Sequence, residues 1–201
     1  MPLASSVDVR TTPSEFAHFA KRAMRLLAED AIAELPERAV VVTTPCSVTS
    51  GFEIDTSNLC AVSIIRAGDS LLESVRECLP GVHVGKILIQ RNEESPDKEA
   101  NLYYSKLPPG VEDMDILLCD PMLATGGSAK MAIHTLMVKY SVKPERIIFA
   151  NMICCPEGLH AMAKAYPEVK VVTARVDECL NEEKYIVPGL GDYGDRFFNT
   201  V

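Results

Sequence analysis

A chain of 201 residues is expected to form a single domain over residues 1–201 with a full hydrophobic core. Its 47% hydrophobic and 24% charged residues are ordinary for a globular protein, and a net charge of −8 argues against a nucleic-acid or anionic-membrane partner. No apolar run is long enough to span a bilayer, the start lacks the features of a signal peptide, and seven scattered cysteines without Cys-x-x-Cys fit neither a zinc site nor a disulfide framework, so a reducing, cytoplasmic setting is expected.

Residues 1–11 are expected to be flexible. Thr12-Pro13-Ser14-Glu15 then signals a helix start, with Thr12 as N-cap, Pro13 at the first helical position and Glu15 closing a capping box. Phe16, Phe19, Ala20, Ala23, Leu27 and Ala31 follow at helical spacing, and the helix should end near Leu35, before Pro36. Ala39 to Thr44 is rich in strand formers, and the Ser, Thr, Gly and Asp of residues 45–58 suggest a hairpin or extended arm. Ala61 to Ile65 reads as a buried strand, followed by Arg66-Ala67-Gly68 and a helix from about Asp69 to Leu79. An arginine at the carboxyl end of a strand beside a glycine turn is an anion-binding candidate, although alone it is more often a surface residue. Val84 to Gln90 reads as a third strand, and Leu102-Tyr103-Tyr104 returns beyond a polar segment that begins at Arg91. That segment is either a solvated loop or a lid that excludes water from a substrate.

Ile116-Leu117-Leu118-Cys119 has the character of a fully buried parallel strand. Asp120 stands at its end, a short turn follows, and Thr125-Gly126-Gly127-Ser128 opens a helix that runs to about Tyr140. A helix N-terminus offers unpaired N–H groups and the positive end of a dipole, and two glycines let an anion approach the backbone. A bare Thr-Gly-Gly-Ser is equally a tight strand-to-helix turn; the buried strand and the acid favour a phosphate cradle. Arg146 to Asn151 and Val169 to Ala174 read as further strands around a helix from Pro156 to about Ala165. Strands alternating with helices predict an α/β fold with a parallel sheet. Near the C-terminus, Gly189, Gly191 and Gly194 spell G-x-G-x-x-G, but the dinucleotide fingerprint needs a helix and a strand downstream and only seven residues remain. The four histidines, His18, His83, His134 and His160, fall outside these motifs and read as surface or packing residues.

Asp120-Pro121-Met122-Leu123-Ala124-Thr125-Gly126-Gly127-Ser128 resembles the phosphoribosyl pyrophosphate (PRPP) loop of uracil phosphoribosyltransferases. Type I phosphoribosyltransferases usually carry two acids here; the uracil enzymes replace the second by proline, as Pro121 does. Arg66-Ala67-Gly68 matches the family's pyrophosphate loop, and its continuation Asp69-Ser70-Leu71 is close to the acid-Ser-Met form of protozoan and fungal members. Arg91-Asn92-Glu93 matches the family's Arg-Asn/Asp-Glu segment. Tyr185-Ile186-Val187-Pro188-Gly189-Leu190-Gly191-Asp192-Tyr193-Gly194-Asp195 resembles its uracil-binding loop.

The resemblance runs from about Thr11 to the C-terminus. It implies a type I phosphoribosyltransferase fold, a central parallel sheet flanked by helices with a β-hairpin arm and a C-terminal base-binding hood loop. It implies uracil and PRPP as substrates, UMP and pyrophosphate as products, and Mg²⁺ carried mainly by PRPP rather than held by the protein, with Asp192 able to order it through water. The expected roles are Asp120 on the ribose hydroxyls, Thr125 to Ser128 on the 5′-phosphate with Pro121, Met122, Leu123 and Ala124 also in the PRPP loop, and Arg66 and Arg91 on pyrophosphate. Tyr185, Ile186, Gly191 and Tyr193 would line the base, with Asp192 facing the ribosyl or pyrophosphate side. A homodimer or homotetramer is expected, and GTP activation of some relatives admits GTP as a regulator. The rival reading is a catalytically silent homologue that senses uracil nucleotides; the intact set Arg66, Arg91, Asp120 and Asp192 favours an enzyme. A bifunctional RNA-binding regulator would need a basic face, which the acidic balance opposes. The uracil-type C-terminal loop argues against a purine.

Overall fold

The computed structural model describes residues 8–91 and 100–200, and of Arg91 the backbone alone. Most of the segment read as a lid, residues 92–99, therefore lies outside the described residues. The first helix, α1 (Pro13–Ile32), begins as its sequence dictates. The Thr12 hydroxyl oxygen accepts from the Glu15 N–H, and the Glu15 carboxylate accepts from the Thr12 N–H at 3.0 Å. Phe16, Ala20, Ala23, Leu27 and Ala31 are buried, whereas Phe19 is only half-buried. The helix stops at Ile32, three residues before the expected Leu35, and Leu35 is buried in the following turn.

Strands β1 (Glu37–Thr43) and β2 (Val48–Ile54) pair antiparallel as a separate hairpin. This is the expected arm, with both faces largely exposed: Val41 is 79% and Phe52 75% accessible. The main sheet contains β3 (Leu59–Ile65), β4 (His83–Arg91), β5 (Ala100–Lys106), β6 (Asp115–Cys119), β8 (Ile147–Asn151) and β10 (Lys170–Thr173). Their spatial order is β10-β8-β6-β3-β4-β5. All neighbours run parallel except β5, which returns antiparallel along β4 with an irregularity at Leu88/Ile89. Two two-residue pairs stand outside the main sheet. Strand β7 (Met122–Leu123) lies beside β9 (Ile153–Cys154), and β11 (Cys179–Leu180) beside β12 (Ile186–Val187).

The central strands are continuous apolar runs because helices cover both faces of the sheet. Alternate residues go to opposite sides. Leu59, Ala61, Leu117, Cys119 and Ile148 pack against α1 and α2 (Asp69–Cys78). Cys60, Val62, Ile116, Leu118 and Phe149 pack against α3 (Gly127–Tyr140), with Met162 of α4 (Pro156–Ala165) in the same cluster. A short α5 (Tyr193–Phe198) follows the last glycine motif and is absent from the sequence reading. Asp8, in the stretch 1–11, meets this helix: Arg196 donates to the Asp8 carbonyl at 2.8 Å.

Because the capping box satisfies two orphan amides of α1, Thr12→Ala should cost about 1 kcal/mol. Thermal unfolding should show this as a Tm drop of about 2–4 °C.

Candidate active site

A cleft of about 360 Å³ opens beyond the carboxyl ends of β3 and β6, where ligands sit in open α/β sheets. Three separated stretches form its walls. Arg66 and Ala67 come from the β3–α2 turn, and Asp120, Met122, Leu123, Ala124, Gly126, Gly127 and Ser128 from the β6–α3 loop. Tyr185, Ile186, Gly191, Asp192 and Tyr193 come from the C-terminal segment. The structure thus brings together the sequence candidates except Pro121 and Thr125, which do not line the cleft, and Arg91, whose side chain lies outside the described residues.

The β6–α3 loop is held from behind. Asp120 N–H donates to the Ala150 carbonyl at 3.2 Å, and the N–H groups of Met152 and Ile153 both donate to the Pro121 carbonyl, at 2.9 and 3.0 Å. The β7–β9 pair and a Cys155 thiol bond to the Ala124 carbonyl at 3.3 Å continue the support. Gly158 completes it: a Cβ there would stand 2.4 Å from the Ala124 carbonyl oxygen and 2.7 Å from that of Leu123. Gly126 is the N-cap of α3 in the left-handed region, φ 78°, and as glycine it brings no side-chain cap of its own. The Thr125 hydroxyl accepts a long bond from Gly127 N–H, 3.4 Å. The first-turn amides of a 14-residue helix therefore meet the cleft with the positive end of its dipole.

Arg66 is half-exposed at the rim and already engaged. It donates to the Asp195 carboxylate at 2.7 Å and to the Thr200 hydroxyl at 2.8 Å, and it lies 5.5 Å from the centre of the Phe198 ring. The Thr200 hydroxyl and then the Arg66 guanidinium hold the Asp195 carboxyl below the usual carboxylate range. Gly68 lets the Arg66 turn close against the sheet, since a Cβ there would fall 2.2 Å from the Cys119 carbonyl oxygen. The helix that follows starts with Asp69, whose carboxylate accepts from Ser63 Oγ and pairs with Lys86 Nζ at 2.5 Å.

In the C-terminal wall, Asp192 N-caps α5, accepting from Asp195 N–H at 2.9 Å. The Tyr193 ring is buried, 1% exposed, and its hydroxyl donates to Ser70 Oγ at 2.9 Å. Burial pushes that phenol well above the usual tyrosine range. Tyr193 therefore reaches the cleft as a buried anchor rather than an open platform. Sequence reasoning missed Glu183 and Lys184, which also line the cleft. Lys184 holds φ 68° at the β11–β12 turn, a conformation that glycine adopts more easily. Gly158 and the Ser63–Asp69–Lys86 cluster were also missed, because their roles depend on contacts between distant segments.

The six-stranded mainly parallel sheet and this cleft define a type I phosphoribosyltransferase fold. A purine phosphoribosyltransferase from Pyrococcus horikoshii shares the fold, with a TM-score of 0.50 and 14% identity over 81% of this chain and 92% of that one. The family model for uracil phosphoribosyltransferase matches residues 4–200, so the chain belongs to the uracil phosphoribosyltransferase family. The uracil phosphoribosyltransferase of Saccharomyces cerevisiae is 45% identical over 188 residues, 94% of this chain and 86% of that protein. Among solved structures, the AQ2163 protein from Aquifex aeolicus matches with a TM-score of 0.86 and 31% identity, covering 98% of this chain and 92% of that one.

Cys119 directly precedes Asp120, and burial, with that carboxylate nearby, pushes its thiol up. Cys46 and Cys179 are exposed, whereas Cys60, Cys119, Cys154 and Cys155 are buried. Titration of the native protein with a thiol reagent should modify Cys46 and Cys179 first and the four buried thiols only on unfolding. Early modification of Cys119, read by peptide mass, would contradict this packing of β6.

Proposed function

We propose that this chain transfers the phosphoribosyl group of PRPP to N1 of uracil, giving UMP and pyrophosphate in pyrimidine salvage. The observation that supports this reading most is the convergence of the Arg66 turn, the Asp120–Ser128 loop and the 185–193 segment on one cleft. The α3 N-terminus, with Gly126, Gly127 and Ser128, suits the 5′-phosphate, and Thr125 supports the turn. Asp120 suits the ribose hydroxyls. Arg66, joined by Arg91, suits pyrophosphate, exchanging the single carboxylate of Asp195 for a more highly charged ligand. Ile186 and the backbone near Gly191 suit the uracil ring and its carbonyl and N–H edge.

Displacement at the anomeric carbon breaks the bond to pyrophosphate and forms one to uracil N1. Positive charge develops on the ribose ring as the leaving group departs. These residues act by holding both substrates in line, stabilising the departing anion and keeping water out.

Phosphoribosyltransferases generally use Mg²⁺ with PRPP. Among the described residues no group of three His, Cys, Asp or Glu is arranged to hold a metal ion, while Asp120, Asp192 and Glu183 put carboxylates on the cleft. That donor set fits Mg²⁺ delivered on substrate oxygens, with Asp120 or Asp192 reaching it directly or through water. When bound, the ion supplies charge neutralisation on pyrophosphate.

A homodimer or homotetramer is part of the proposal, and the exposed Val41, Val48 and Phe52 of the hairpin supply apolar surface for it. No described helix is long and apolar enough to cross a membrane. Seven unpaired cysteines support a reducing, cytosolic setting.

The deciding experiment is UMP formation from uracil and PRPP with Mg²⁺, beside hypoxanthine, orotate and cytosine. Turnover of uracil alone is expected. Binding of UMP or PRPP without turnover would replace the enzyme by a nucleotide-binding homologue. Asp120→Asn should lower kcat/KM for PRPP by about a hundredfold with an unchanged melting temperature; wild-type kinetics would remove Asp120 from the site. Gly158→Ala, which forces the β6–α3 loop forward, should weaken PRPP use by about ten- to hundredfold without touching substrate. An unaltered PRPP KM and kcat would show that the loop's rear support is irrelevant to the site.

A further inference from the structure

We infer that Asp177, a buried carboxylate behind the C-terminal wall, is the positioning residue that sets the uracil-binding segment and thereby uracil affinity. The inference rests on the reading of residues 185–193 as the base site. Asp177 is 5% exposed as a residue and its side chain 1%. A carboxylate in such a place is costly unless both oxygens find partners. One accepts from Arg175 Nε at 2.5 Å and the other from the backbone N–H of Gly189 at 2.8 Å.

Both ends of this link bear on the cleft. Asp177 N–H donates to the Cys154 carbonyl at 2.8 Å, and Cys154 N–H donates to the Arg175 carbonyl at 3.0 Å. Residues 175–177 are thus fastened to β9, the strand that braces the β6–α3 loop through β7. Gly189 lies on the other side, between Ile186 and Gly191, which both line the cleft. It has φ 61°, and a Cβ there would fall 2.0 Å from the Ile186 carbonyl oxygen. The chain therefore doubles back tightly at this glycine, and its amide is the point where the turn is fixed. Glu178 N–H adds a second tie, to the Val187 carbonyl at 3.0 Å. The Asp177 carboxylate references the base-facing turn to the frame that carries the phosphate loop, while touching neither substrate.

Asparagine at 177 keeps the shape but can accept from only one of the two donors. Steady-state kinetics on the full chain should show Asp177→Asn raising the uracil KM by about ten- to hundredfold while the PRPP KM stays at the wild-type value. Arg175→Gln leaves the Gly189 bond in place and should raise the uracil KM less, again with the PRPP KM unmoved. If Asp177→Asn does not fold, Arg175→Gln carries the same test. A purely structural role would lower the melting temperature and the active fraction with both KM values unchanged, and that result overturns the inference. So does a rise of both KM values by the same factor. If the wild-type chain makes no UMP from uracil, the base-site reading and this inference fall together; if it does and the uracil KM ignores both substitutions, this inference alone falls.

Discussion

The Pro121 carbonyl oxygen, which accepts from two consecutive amides, those of Met152 and Ile153, is the constraint on which the site depends. It marks where β6 stops being sheet and becomes loop. Behind that point the chain is supported by residues 150–158 through backbone bonds, a short parallel pair and the bare face of Gly158. Beyond it, α3 begins at the cleft, where the Gly127 amide makes only a long bond to the Thr125 hydroxyl. Each neutral hydrogen bond contributes only about 1 kcal/mol net, so the consequence is geometric more than energetic. With the Pro121 and Ala124 carbonyls engaged from behind, the loop cannot turn them into the cleft, where they would repel an anion.

The charge distribution follows a related logic. A chain of net charge −8 must present an anion site without a broad basic surface. In the proposed reading it would do so with the dipole of α3 and with Arg66, a cation that already holds the Asp195 carboxylate. The Asp195 carboxyl, kept below the ordinary carboxylate range by Thr200 and Arg66, stays ionised near neutrality. An anion arriving at Arg66 would have to displace a bound carboxylate, and the pyrophosphate of the proposed reaction, with more charge and more acceptor oxygens, is suited to do so.

What could be read in the sequence was what is local. The capping box at Thr12, the apolar runs of β3, β6 and β8, and the strand–acid–glycine pattern ending at Ser128 each state their structure within a dozen residues. Arg66 was found as a candidate because a strand end marks it, and Asp192 through the resemblance of residues 185–195 to a family loop. Gly158 and Asp177 were not, because nothing near them in the chain refers to the carbonyls of Leu123 and Ala124 or to the amide of Gly189 that they meet. Lys184 was missed for a backbone reason, a left-handed conformation with no glycine to announce it. Helix α5 was hidden by composition: Gly191 and Gly194 read as loop, yet Asp192 caps the helix and the buried Tyr193 ring holds it on the core.

That ring also explains why α1 matters to a site it does not line. Tyr193 meets the buried Phe16 of α1 edge-on, at 5.4 Å, and stacks on Phe197 at 5.5 Å. Its hydroxyl donates to Ser70 Oγ, which in turn donates to the Ala67 carbonyl at 2.9 Å. Arg196 lies 4.3 Å from the Phe16 ring centre and donates to the Leu190 carbonyl at 2.7 Å. The C-terminal wall of the cleft is therefore fixed at Gly189 by Asp177, at Leu190 by Arg196, and at Tyr193 by a hydroxyl chain that ends in the Arg66 turn. Between these anchors only Gly191 and Asp192 remain, exposed at the cleft. A first helix that reads as simple packing is thus a wall of the frame that sets the distance between the 189–193 segment and the Arg66 turn.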